Sequence, residues 1–191
     1  ERAFGYALES GVPQAICECA NSLGGAIYAS CRNADPDAKA DALANAEAMI
    51  RTSLDVATEE GDLPAIAAAE SSLGAVIIER GDWVEGRLWA ARALEKTRAS
   101  GDLLSEGEAL ASLAECDREL GALDAALASL EQAYAIAATQ QAKPLLRRVH
   151  LQISQTLERA GRHADALTHY KRHHALELDA LVIRRVPRSD P

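Results

Sequence analysis

GDLPAIAAAESSLGAVIIERGDWVEGRLWAARALEKTRAS (residues 61–100) and GDLLSEGEALASLAECDRELGALDAALASLEQAYAIAATQ (residues 101–140) are two forty-residue units laid end to end. Each opens on Gly-Asp, runs through an apolar helical stretch, breaks at a second glycine, Gly81 or Gly121, and continues through an Ala-rich stretch. The pattern is helix, turn, helix, turn. A further step of forty lands on Gly161 and makes residues 144–174 a third unit. A backward step of fifty pairs Gly11 with Gly61 and Ser22-Leu23-Gly24 with Ser72-Leu73-Gly74. The chain therefore reads as a helix-pair repeat with one ten-residue insertion.

The same slots stay small or apolar in every copy. Leu23, Leu73, Leu113 and Ile153 share one slot on the first helix, followed by Gly24, Gly74, Ala114 and Ser154. On the second helix Ala46, Gly86, Ala126 and Ala166 share a slot, and seven residues on stand Ser53, Ala93 and Ala133, with Ala3 in the leading copy. Small side chains at fixed places let helices approach closely while larger apolar residues fill the seam. One pair alone could not bury its apolar stripe, so stacking must supply the core.

Composition agrees. Forty alanines against seven aromatics favour helix over strand, and 191 residues fit one solenoid domain. No window approaches eighteen uninterrupted apolar residues, which argues against a membrane span. Four unevenly placed cysteines, Cys17, Cys19, Cys31 and Cys116, do not form a disulfide framework, and a cytoplasmic location is expected. Helix pairs are predicted near 13–31 and 39–60, 63–80 and 83–100, 103–120 and 123–139, and 144–160 and 163–183. Residues 1–11 read as the end of a preceding helix, 12–183 as the repeat domain, and 184–191 as a tail or the start of a connector. Asp62 and Asp102 are natural N-caps. The insertion falls in residues 31–40, around Asp35 and Asp37, and makes either a longer turn or two lengthened helices.

The charge is uneven. Residues 1–142 hold 24 acids and 10 bases, a net of −14, and residues 143–191 hold 5 acids and 10 bases, a net of +5. An acidic array repels nucleic acid and anionic membrane, which excludes both as partners of the main surface.

Candidate chemistry is sparse. His169 and His173 lie four apart, a helical spacing that can place two imidazoles on one metal, but no third ligand accompanies them. The run from His169 to His174 reads instead as a polar terminal helix. Cys17 and Cys19 are two apart and point different ways on a helix. Phosphate loop, nucleophile elbow and zinc pattern are all missing. No catalytic residue, metal or cofactor is assigned, and an enzyme domain using the His-rich last helix is the weakest reading.

The Leu-small pair in the first helix, the Gly at the internal turn, and Ala five and twelve residues later resemble the tetratricopeptide repeat. Ser112-Leu113-Ala114 with Gly121, Ala126 and Ala133 carries the likeness best, together with Ile153-Ser154, Gly161, Ala166 and Tyr170. The period of forty exceeds the usual thirty-four or so, the closing Pro is missing, and His173 stands where a small residue is the rule. The resemblance implies an all-α, right-handed α-solenoid of about four repeats, working in protein–protein interaction, with a concave face lined by first helices. Its inward positions fall on Glu18, Asn21, Tyr28, Ser71, Ile78, Glu108, Glu115, Arg118, Arg148 and Gln155. The last unit, with Ala166-Leu167, His169-Tyr170-Lys171 and His174-Ala175-Leu176-Glu177, resembles the final repeat before the output domain of cytoplasmic bacterial diguanylate cyclases (GGDEF proteins). That likeness implies the sensory or dimerising half of a signalling protein. The alternative is a free-standing adaptor that holds a peptide in its groove. A homodimer is expected through terminal faces carrying Phe4 and Leu8 at one end and Tyr170, Leu176, Leu181 and Ile183 at the other.

Overall fold

Local signals set many of the helix boundaries in the computed structural model, which describes residues 2–30 and 35–185, the side chains of 182–185 excepted. Among the described residues the chain forms α1 (Arg2–Ser10), α2 (Pro13–Ser30), α3 (Pro36–Glu60), α4 (Leu63–Glu79), α5 (Trp83–Ser100), α6 (Leu103–Glu119), α7 (Leu123–Thr139), α8 (Lys143–Arg159) and α9 (His163–Arg185), with no strand. The predicted pairs match these helices to within a few residues.

Four starts are capped in the same way. Asp35, Asp62, Asp82 and Asp102 each accept the N–H three residues on at 3.1 Å, satisfying a donor the first turn leaves orphaned. Asp35 and Asp82 join the two caps read from sequence. The turns between helices close on a left-handed residue: Gly61, Gly81, Gly101, Gly121 and Gly161 have φ of 70–89°. Position 141 departs, because Gln141 takes φ 53° there without glycine's freedom. Left-handed geometry costs a side-chain-bearing residue about 1–2 kcal/mol, partly offset by the entropy glycine loses on folding. Gln141→Gly is therefore expected to stabilise the chain by about 0.5–1 kcal/mol in thermal or denaturant unfolding.

The helices stack in two layers. Each even helix packs on the odd helix that follows, and α2, α4, α6 and α8 also touch in sequence to form one continuous inner layer. The core is correspondingly segmented, with one cluster around Cys17, Ala57 and Ile66, another around Ile50, Leu73 and Ile77, and the largest around Leu110, Leu130 and Val149. Such a string of local cores is an all-α solenoid.

The small slots are buried as the repeat requires. Gly24, Gly74, Ala114 and Ser154 are all buried, as are Ala46, Gly86, Ala126 and Ala166. A Cβ built on Gly86 would lie 2.6 Å from Ile78 Cγ1, and one on Gly24 2.6 Å from Ile50 Cγ1, so helices touch through these glycines. In the copy on α1 the slot residue Ala3 is exposed. The insertion is accommodated by lengthening α3 to 25 residues against 17 or 18 in α4 to α8, with Asp35 as its cap. A Lys39–Glu79 ion pair ties the extra turns to the end of α4. Residues 31–34 of the insertion lie outside the described residues. Among the described residues no helix is long and apolar enough to cross a membrane.

Candidate functional site: the concave groove

A cavity of about 850 Å³ opens on the inner face, lined by side chains from α2, α4, α6, α8 and α9. A shallower depression of about 270 Å³ adjoins it and shares Tyr28, Ala75, Ser112 and Arg148. Six of the residues placed inward from the sequence line the larger cavity: Tyr28, Ile78, Glu115, Arg118, Arg148 and Gln155. Ser71 and Glu108 line the smaller one. Glu18 and Asn21 line neither. Glu18 is exposed and accepts a hydrogen bond from Gln14 at 3.1 Å, and Asn21 is half-buried.

Most of the charge in this groove is already spent on itself. Arg148 donates to Glu108 at 2.7 Å, to Ser112 at 3.1 Å and to Glu115 at 3.4 Å, and Gln152 donates to the same Glu115 carboxylate at 3.0 Å. Arg118, 8% exposed, donates to Gln155 at 2.7 Å and to Glu119. Arg159 then joins Glu119 at 2.7 Å and the Arg118 carbonyl at 3.1 Å. Burial pushes the Glu119 carboxyl up, but the hydrogen bonds from Arg159 and Arg118 outweigh it and hold the group below its ordinary range. These residues form a ladder between α6 and α8, two of its rungs, Arg148–Glu108 and Arg159–Glu119, joining positions one period of forty apart.

The ladder leaves a partly apolar groove with one unspent cation. Tyr28, Ala75, Ile78, Leu151 and Leu181 supply its apolar surface. Arg147 also lines it, and its guanidinium makes no ion pair among the described residues. Its backbone carbonyl lies 3.0 Å from Nδ1 of His173, which fixes that ring on the groove wall as a donor.

The terminal residues fall in different places. Phe4 is half-buried, while Leu8 at 52% and Tyr170 at 51% are exposed. Leu181 lines the concave groove, and Leu176 lines a separate cleft between α7 and α9 beside Tyr134. The side chain of Ile183 lies outside the described residues.

His169 and His173 do not face each other. His169 instead meets His150 on α8, with their Nδ1 atoms 3.2 Å apart. Among the described residues no three His, Cys, Asp or Glu side chains gather to hold a metal. His150 went unread in the sequence because its partner is nineteen residues away and on another helix. The frame of forty aligns His150 with Leu110 and Glu70, a slot of mixed character that gave no signal of its own. All three are buried. Two of the thiols are buried: Cys17 donates to the Ser53 carbonyl at 3.0 Å, and burial, reinforced by Glu115 and Asp117, pushes Cys116 up to about 12.

No family model matches the chain, and no curated protein matches it in sequence. Solved structures match its shape. Aspartyl phosphate phosphatase F from Bacillus subtilis superposes with a TM-score of 0.70 at 13% identity, over 86% of this chain and 40% of that one. BtubC from P. vanneervenii superposes with a TM-score of 0.71 at 14% identity, over 94% of this chain and 70% of that one. The chain thus spans well under half the length of the first of these proteins. At such identities the likeness concerns fold alone, and the fold is an all-α helical-repeat array.

Proposed function

We propose that the chain is a non-catalytic protein-interaction module that holds a peptide segment of a partner in its concave groove. The observation that carries this is the 850 Å³ cavity built from the inner helices of all four pairs, with apolar patches beside Arg147. Such a surface suits a chain with apolar side chains and an acidic group, since its other cations are neutralised within the wall. Peptides selected by display on the purified chain are the test. Filling the groove with Ala75→Trp, or reversing its free charge with Arg147→Glu, should weaken them at least tenfold, while Glu131→Gln on α7 leaves them unchanged. Equal binding to all four proteins would place the ligand elsewhere and overturn the reading.

The finer assignment, to the sensory or dimerising half of a bacterial signalling protein such as a diguanylate cyclase, is supported by the resemblance of the last unit alone. It carries the expectation of a homodimer, for which the exposed apolar side chains Tyr6 and Leu8 on α1 and Leu167 and Tyr170 on α9 provide surface. Light scattering over a concentration series should show a mass rising above the 20.3 kDa of one chain, and Leu8→Asp or Tyr170→Asp should return it there. A constant monomer mass at high concentration favours the free-standing adaptor.

A further inference from the structure

We propose that His150 and His169 form an acid-released latch that holds α9, and with it one wall of the groove, against α8. The regulatory half of this proposal rests on the groove reading above; the latch itself does not.

The pair is enclosed. His150 is 5% exposed, with its ring centroid 5.3 Å from Tyr134 of α7 and 5.2 Å from His169 of α9. Two Nδ1 atoms 3.2 Å apart can be bonded only if one carries a proton and the other offers a lone pair. The contact therefore holds one proton. A second on the accepting nitrogen would set two N–H groups against each other.

The surroundings oppose that second proton. Glu131 and Tyr134 approach from α7, Lys143 from the start of α8, Arg162 from the turn before α9, and Asp165, Arg172 and His173 from α9 itself. Of the two carboxylates, Asp165 is already paired with Arg162 at 2.8 Å. Burial first, then His169 and Arg172, push His150 down to about 4, and burial with Arg172 lowers His169 as well, outweighing an upward pull from Asp165. Once α9 lifts, both rings return towards the ordinary 6.5 or so. The undocked state then binds more protons between about pH 6.5 and 4, so docking is complete above that window and weakens as pH falls through it. For His150 alone the docking equilibrium shifts roughly 25-fold between pH 7 and pH 5.

The latch bears on the groove because both use α9. His173, Glu177, Ala180 and Leu181, further along the same helix, form part of the cavity wall. Releasing α9 opens that wall.

Hydrogen exchange on the whole chain at pH 7 and pH 5, corrected for intrinsic rates, tests the latch. Protection of α9 should fall roughly 25-fold relative to α6, and the fall should vanish in His150→Phe with His169→Leu. Unchanged protection in the wild type, or an equal fall in the double variant, overturns the proposal. Should that variant fail to fold, a ring-proton NMR titration of the wild type decides: both histidines should titrate below the ordinary value, and ordinary titration of both overturns the latch. A peptide selected on the groove at pH 7 should lose affinity at pH 5 on the wild type but not on the double variant. Unchanged affinity with α9 released overturns the regulatory half. The exchange and titration readouts need no ligand, so failure of the groove reading leaves them decisive.

Discussion

Ala126→Leu is expected to lower stability by about 1–3 kcal/mol and Leu130→Ala, one turn along the same helix, by about 2–5 kcal/mol. Both positions are 0% exposed in the largest core cluster. Ala126 occupies the slot where Gly86 and Ala166 stand in neighbouring units, and a Cβ on Gly86 already meets Ile78 at 2.6 Å. Three more carbons at such a seam must displace a helix, because an interior packed to crystal-like density has no free volume to give. Leu130 is the opposite case, where truncation leaves a cavity as well as losing buried apolar surface. Glu131→Gln, exposed on α7, should change stability by less than about 0.5 kcal/mol. Urea or guanidinium unfolding of the three variants checks the assignment. Equal midpoints would show that these slots are not the packing units of the repeat.

Arg87→Met is expected to destabilise by about 2–3 kcal/mol, although the arginine side chain is half exposed. Its partner Asp117 is 3% exposed, and their Nε···Oδ1 distance is 2.6 Å. That hydrogen bond, followed by the charge of Asp117, raises the guanidinium above its ordinary value. Removing it strands a carboxylate in the interior, a larger loss than the net worth of the pair. The discriminating measurement is the double variant Arg87→Met with Asp117→Asn, in which nothing charged is buried. It should unfold at higher denaturant than Arg87→Met alone. A double variant less stable than the single would show that the carboxylate is stabilised by the fold even without Arg87, and would overturn the stranded-charge account.

Some of these tertiary pairs left a trace in the sequence. Arg148–Glu108 and Arg159–Glu119 each join residues forty apart, the same slot in adjacent units, so opposite charges at one period predict them. Arg87–Asp117 and Lys96–Glu70, thirty and twenty-six apart, link different slots and follow no single offset. Inward positions were legible where the repeat is regular, as at Ile78, Glu115 and Arg148. Glu18 and Asn21 line neither cavity although Tyr28, further along the same helix, lines both, because the cavities open beside the C-terminal part of α2.

By itself the sequence determined the helices, their order and the stacking architecture. Those follow from features that act within a few residues: aspartate caps, left-handed glycines and an apolar period that one helix pair cannot bury alone. Tertiary structure alone decided what the groove has to offer. Glu108, Glu115, Arg118 and Arg148 all lie where a ligand could meet them, yet side-chain reach ties Arg148 to Glu108 and Glu115 and Arg118 to Gln155 and Glu119, which leaves Arg147 unspent. The course of α9 past the end of α8 brings Leu181 to the groove and His169 to His150, because proximity between separate helices depends on how they cross, which no local pattern encodes.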